Sequence, residues 1–184
     1  MTNVTIVSSP RELTNVDRLI LPGVGAFPIA MKRLKDSGLN LAIKESVLDA
    51  KTPILGICLG MQLFADRGFE FTETPGLGFI PGSVTKLVTN NRQFRVPHVG
   101  WNSVQIDQIN PLWAGIDDNT DFYFVHSFKF ELDNPSSQMG HTNHGGDFAS
   151  VVLRDHIYGT QFHPEKSSKA GRQLLINFCK LDRC

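Results

Sequence analysis

Short apolar blocks alternate along this chain with stretches whose apolar residues recur every three or four positions. Residues 3–7 (NVTIV) and 17–21 (DRLIL) read as short buried strands, the second closed by Pro22-Gly23. From Ala26 to about Leu48, Phe27, Met31 and Leu34, then Leu39, Ile43 and Val47, keep helical spacing, and Ser37-Gly38 divides them into two helices. Residues 53–57 (PILGI) are apolar throughout and too short for a helix, as a strand covered on both faces would be. Residues 61–67 (MQLFADR) then read as helix. Past residues 74–82 (TPGLGFIPG) the character turns to strands, over 83–88, 101–106, 121–132, 148–154 and 156–162. A closing helix over 170–181 carries Leu174, Leu175, Phe178 and Leu181 on one face, with Ser167 or Ser168 as its cap. The alternation predicts a single α/β domain over residues 1–184. Its mixed, mostly parallel sheet is flanked by helices, with antiparallel hairpins in the later half.

Bulk properties narrow the function classes. A chain of 184 residues is long enough to bury a real core. Its 18 basic residues balance 18 acidic ones, which offers nothing to nucleic acid or to an anionic membrane surface. No apolar run is long enough to span a bilayer, and the first residues lack a basic region followed by an apolar one. The chain therefore reads as soluble and cytoplasmic. Its three cysteines, at 58, 179 and 184, have no metal-type spacing and fit a reducing compartment, where one thiol can serve as a nucleophile. Cys179 reads as packing and Cys184 as a frayed end. His141 and His144 lie in an expected hairpin loop with too few companions for zinc, so no metal is expected.

The chemistry concentrates around Cys58. Gly56-Ile57-Cys58-Leu59-Gly60 has the form of a nucleophile elbow with cysteine in place of serine. So tight a strand-to-helix turn strains the central residue, and a Cβ at either flanking position would collide with neighbouring backbone. The turn also sets the sulfur at a helix N-terminus, which favours thiolate, and aims the Leu59 N–H at whatever the sulfur attacks. The same pentapeptide reads equally as a turn around a small buried hydrophobe.

A thiol nucleophile needs an acid–base partner. His163 follows the apolar segment 158–162 (YGTQF), and Glu165 two positions on projects to the same side of an extended backbone. That spacing suits an orienter, a base and a nucleophile. On its own it also fits a solvated turn. Pro22-Gly23-Val24-Gly25, at the end of an expected strand, can turn backbone N–H groups toward a developing oxyanion, and it lacks the phosphate-loop pattern.

Five segments, PGVGAF, GICLGMQLF, VPHVGWN, FYFVHSF and YGTQFHPEKSS, occur in this order. Together they resemble the triad-type (class I) glutamine amidotransferases. Within that class, residues 97–102 (PHVGWN) and 124–127 (FVHS) are similar to the glutaminase subunits of imidazole glycerol phosphate synthase. The resemblance runs from about Val4 to the last helix and implies a flavodoxin-like α/β fold. It implies Cys58 as nucleophile on the glutamine side-chain amide, His163 as acid and base, and Glu165 as its orienter. Leu59, with Val24 or Gly25, would supply the oxyanion hole. Gln62 and Glu70 would grip the α-amino and α-carboxyl end of glutamine, with backbone at Ser127 and Phe128 adding to the grip. Phe128 stands where tyrosine is common in the family.

The resemblance also implies a partner, a (β/α)8-barrel cyclase that receives ammonia, and no cofactor. Trp101, Tyr123 and Lys166 match positions that face it; by residue type they read equally as core or plain surface. Family members begin with an extra strand and helix, and this chain starts at what resembles their second strand. Rival readings are an amidotransferase subunit serving an amino-sugar synthase, a self-standing γ-glutamyl hydrolase, and a subunit that binds its synthase without catalysis.

Overall fold

The computed structural model describes residues 3–13, 16–89 and 93–181. Strand β1 (Leu19–Gly23) leads through helices α1 (Phe27–Asp36) and α2 (Leu39–Lys44) to β2 (Ile54–Cys58) and the one-turn helix α3 (Leu59–Gln62). Two short strands, β3 (Arg67–Gly68) and β4 (Thr74–Pro75), precede β5 (Gly82–Lys86), β6 (His98–Ile106), β7 (Thr120–His126) and β8 (Phe128–Leu132). Strands β9 (Gln138–Asn143), β10 (Asp147–Arg154) and β11 (Ile157–Thr160) follow, and α4 (Ser168–Lys180) closes the fold.

The principal sheet has the order β1-β2-β11-β10-β9-β6-β7, and a smaller one runs β4-β3-β5-β8. In the principal sheet only β1, β2 and β11 are parallel; the β11–β10, β10–β9, β9–β6 and β6–β7 ladders are antiparallel. The expectation of a mostly parallel sheet therefore holds for its heart alone. The largely polar segment 138–143 (QMGHTN), outside the strands expected from the sequence, supplies β9, placing His141 in a ladder rather than a loop.

Both faces of the heart are covered, which is why β2 is apolar throughout and buried at every position. Ile54 joins Phe27, Met31, Ile43 and Val47 from α1 and the segment following it in one cluster. Leu55, Ile57 and Cys58 join Leu174 and Phe178 of α4 in the other. The predicted face of the last helix is thus the one that packs. Ser37 and Gly38, the latter at φ 75°, separate α1 from α2 as the turn chemistry requires.

Three segments depart from the periodicity. Residues 3–7 form no strand, and Val4 and Ile6 are 87% and 91% exposed. Among the described residues β1 is laddered only to β2, so 3–7 does not extend the sheet at that edge. Residues 61–67 were expected as helix, yet α3 stops at Gln62. The carbonyls of Leu63, Phe64, Ala65 and Asp66 accept instead from N–H groups of residues 76–80, which draws this segment out of helical geometry. Residues 121–132 likewise break at Ser127 into β7 and β8. Among the described residues no helix is long and apolar enough to cross a membrane.

Candidate active site

The elbow around Cys58 is as tight as its glycines suggest. Cys58 takes φ 53° and ψ −110°, a conformation costly for a residue with a side chain. A Cβ on Gly60 would lie 1.7 Å from the Leu21 carbonyl oxygen of β1. One on Gly56 would meet Met61 backbone atoms and the Phe64 ring at 2.7 Å. Only with both side chains absent can α3 fold back against the parallel heart and leave the sulfur at the strand ends.

Cys58 opens onto a cavity of about 300 Å³ lined by Val24, Gly25, Leu59, Gln62, Glu70, Pro97, Val125, His126, Ser127, Phe128 and His163. The site residues expected from the elbow, the glycine turn and the glutamine grip thus face one space. Glu165 stands behind it: its Oε1 lies 2.7 Å from Nδ1 of His163, which is buried while the carboxylate is half exposed. His163 Nδ1 donates to that oxygen, so Nε2 is the free lone pair, and it is buried with no hydrogen-bond partner among the described residues.

The sulfur does not occupy that vacancy in the base's hydrogen bonding. The Cys58 thiol points at the Val125 carbonyl, 3.9 Å away, and Gln161 Nε2 donates to the sulfur at 3.7 Å. Burial pushes the thiol up to about 11, against the downward pull of the Leu59 N–H and with a further upward push from Glu165. The expectation that the helix end favours thiolate is therefore reversed. A one-turn helix contributes little field, and desolvation wins. The carboxylate–imidazole half of the relay is formed and the imidazole–sulfur half is open.

Gln62 spends both N–H bonds within the protein, on Phe128 O and Gln161 Oε1, each at 3.0 Å, and so offers the cavity its Oε1 acceptor. Glu70 Oε2 accepts from Phe27 N–H at 2.8 Å, at the start of α1. The carbonyls of Ser127 and Phe128 are both taken, the first by Leu87 N–H and the second by His126 and Gln62. Any backbone grip from this turn therefore comes from N–H groups, which suit a carboxylate.

Trp101 and Tyr123 pair across β6 and β7 with rings edge to face at 6.1 Å, and Lys166 Nζ lies 5.9 Å over the Tyr123 ring. Trp101 is 53% exposed, so the core reading of this residue fails. Tyr123 O also accepts the His163 backbone N–H at 2.9 Å. Ser167 stands at the first position before α4 but does not cap it. Its hydroxyl donates to His163 O at 2.6 Å and accepts from Tyr123 N–H at 2.9 Å. Ser167 and Gln161 are site residues that sequence reasoning missed, although Gln161 sits two positions before His163 inside a motif already in view.

No group of His, Cys, Asp and Glu among the described residues is arranged to hold a metal. His141 Nδ1 instead pairs with Asp107 at 2.7 Å, and His144 Nε2 donates to Arg95 O at 2.8 Å.

The model of the family "Glutamine amidotransferase class-I" matches residues 2–181. The chain is 49% identical over 180 residues to the imidazole glycerol phosphate synthase subunit HisH 1 of Campylobacter jejuni (strain RM1221), covering 96% of this chain and 87% of that relative. It is 42% identical over 176 residues to the imidazole glycerol phosphate synthase subunit HisH of Cereibacter sphaeroides, covering 95% and 83%. Among solved structures it is similar to a glutamine amidotransferase at TM-score 0.70 and 17% identity, over 94% of this chain and 85% of that one. The glutaminase domain of Trypanosoma brucei CTPS with bound acivicin aligns at TM-score 0.63 and 16% identity, over 95% and 75%. The two structures speak for the fold, and the family match and sequence relatives go further: the chain belongs to the class-I glutamine amidotransferases.

Proposed function

We propose that this chain is the glutaminase subunit of an imidazole glycerol phosphate synthase, acting in histidine biosynthesis in the cytoplasm. It hydrolyses the side-chain amide of glutamine and hands the ammonia to a cyclase. The observation that carries the chemistry is one cavity shared by a strained Cys58 and an imidazole whose Nδ1 is held by Glu165 and whose Nε2 has no partner among the described residues. The relatives' names, subunits of imidazole glycerol phosphate synthase, support the choice of synthase.

In this mechanism His163 Nε2 takes the Cys58 thiol proton as the sulfur attacks the amide carbon. The oxyanion is held by Leu59 N–H and by Val24 or Gly25 N–H. The proton passes to the leaving nitrogen, the C–N bond breaks and ammonia departs, leaving a γ-glutamyl thioester. His163 then draws a proton from water, whose oxygen attacks the thioester; the C–S bond breaks and the thiol is restored with glutamate. The Gln62 and Glu70 oxygens receive the α-ammonium, and N–H groups at Ser127 and Phe128 receive the α-carboxylate.

Ammonia released into water would be protonated and lost, so productive transfer needs a protein over the cavity mouth. Val99, Trp101, Tyr123 and Val125 alternate along β6 and β7 and share one face beside that mouth, with Val99, Trp101 and Val125 exposed. Aromatic anchors with a cationic neighbour, here Lys166, suit an interface centre. The partner is a (β/α)8-barrel cyclase, and the product is imidazole glycerol phosphate with an aminoimidazole carboxamide ribotide.

The test is glutamate release from glutamine by the chain alone, with the cyclase, and by Cys58→Ala. Slow turnover alone, a marked gain with the cyclase and none in the variant are expected. Equal turnover with and without the cyclase would favour a self-standing hydrolase, and no thioester at Cys58 in the complex would leave a binding-only subunit.

A further inference from the structure

His126 lines the catalytic cavity, and His98 lies opposite it on the neighbouring strand. Their protons have one arrangement. The Phe128 carbonyl oxygen, 2.8 Å from His126 Nδ1, can only accept, so Nδ1 carries the proton and Nε2 is a lone pair. His98 Nδ1, 3.0 Å from that lone pair, must then donate. His98 Nε2 in turn accepts from Asn102 Nδ2 at 3.3 Å. The Asn102 amide is fixed the right way round, because Nδ2 also donates to Asn143 O at 2.9 Å and Oδ1 accepts from Ser103 N–H at 2.9 Å.

This directed chain ends on the same Phe128 oxygen that receives Gln62 Nε2. Gln62 continues to Gln161 Oε1, and Gln161 Nε2 reaches the Cys58 sulfur. A path of buried and partly buried hydrogen bonds therefore runs from Asn102 on β6 to the nucleophile, with the Phe128 carbonyl as its junction.

Packing gives no reason for imidazoles here. His98 stacks on Phe124 with ring centroids 4.8 Å apart and on His144 at 3.9 Å, and His126 lies 5.0 Å from Phe148. Phenyl rings would fill this nest without burying polar nitrogens, so what the imidazoles add is the donor aimed at Phe128. Burial, then their mutual repulsion and the nearby His144, hold His98 down to about 3. Burial likewise holds His126 down to about 4, against the pull of the Phe128 carbonyl and together with His144 and His163. A second proton on either ring would set two N–H groups against each other.

We propose that Asn102, His98 and His126 are positioning residues for glutamine hydrolysis: their chain locks the Phe128 carbonyl, which fixes the Gln62 amide with its Oε1 toward the substrate ammonium. This rests on the reading of the cavity as a glutamine site. The relay acts on substrate binding rather than on the sulfur's chemistry, so its loss raises KM more than it lowers kcat.

The experiment compares His126→Phe, His126→Asn and His98→Phe with the unaltered full chain bound to the cyclase. An Asn amide nitrogen sits close to the place of Nδ1 and keeps the donor to Phe128; Phe keeps only the ring. Expected is a rise in glutamine KM of about tenfold for His126→Phe, the loss of one buried hydrogen bond. His126→Asn should return to within about threefold of the unaltered KM, with kcat in every variant changed less than about threefold. A folded His126→Phe with unchanged KM, or a His126→Asn as impaired as His126→Phe, overturns the relay. Nitrogen-15 spectra of the imidazoles test it without activity: both rings should be neutral and protonated on Nδ1 at pH 6. An Nε2–H form of either ring overturns the relay even if the unaltered chain hydrolyses no glutamine, whereas inactivity with the expected tautomers sinks only the functional reading.

Discussion

The Cys58 sulfur lies 3.9 Å from the carbonyl oxygen of Val125, a residue of β7, the far edge of the principal sheet, whose side chain stands exposed at the cavity rim. The nucleophile thus rests as a thiol aimed at backbone, with its base beside it and unpartnered. Burial, the largest influence, pushes the thiol up to about 11. Alkylation of the isolated chain by iodoacetamide should therefore rise about tenfold per pH unit from pH 7 to 10, with no plateau near 8.5, the value of a free cysteine. The sign for stability follows. A thiol raised in the folded state contributes stability that is complete below its unfolded value and is lost as pH climbs toward 11. A plateau near neutrality would mean that the sulfur is already paired with His163 at rest.

Glu165 is expected to matter less than the buried carboxylate of a fully enclosed triad, because its side chain is 47% exposed. Water can replace part of its hold on Nδ1. Glu165→Gln should lower kcat for glutamine by about 10- to 100-fold, short of the roughly ten-thousandfold of a buried orienter, and leave KM within about threefold. Steady-state kinetics of the complex decide it, and a loss no greater than twofold would remove Glu165 from the relay.

The glycines of the elbow allow a sharper contrast. Gly60→Ala sets a Cβ against the Leu21 carbonyl at 1.7 Å and should unfold or displace α3 from β1, costing more than about 3 kcal/mol. Gly25→Ala meets nothing within 4 Å, and only its φ of 105° opposes it, so about 1–2 kcal/mol is expected. Thermal melts of both variants should therefore rank Gly60→Ala well below Gly25→Ala.

That contrast also marks what the residues alone reveal. The elbow is legible because its constraint is local: two glycines, a strand and a turn imply the collision that Gly56 and Gly60 avoid. The His163–Glu165 pair is legible for the same reason, being two positions apart. Interactions set by distant segments were not legible. The helix expected over 61–67 is cut short because residues 76–80 capture its carbonyls, and among the described residues 3–7 joins neither sheet. The protonation of Cys58 is not legible either, since a helix end is visible in sequence and the depth of burial is not. The role of Gln161 is hidden for the same reason: its partners, Gln62 and Cys58, are about a hundred residues away in the chain.

The face made by Val99, Trp101, Tyr123 and Val125 tests the partner separately from the chemistry. Trp101 makes no hydrogen bond to the catalytic residues; it lies over Tyr123, and half of it is open to solvent. If this face seats the cyclase, Trp101→Ala removes an aromatic anchor at the interface centre and should weaken the complex by about 10- to 100-fold. Because Trp101 touches neither Cys58 nor His163, glutamine hydrolysis by the isolated chain should stay within about twofold. Titration of labelled cyclase gives the affinity, and glutamate release without cyclase gives the control. Unaltered affinity with a folded variant would move the docking surface away from β6 and β7, while a loss of activity in the isolated chain would show that Trp101 supports the site through Tyr123, whose carbonyl holds the His163 backbone.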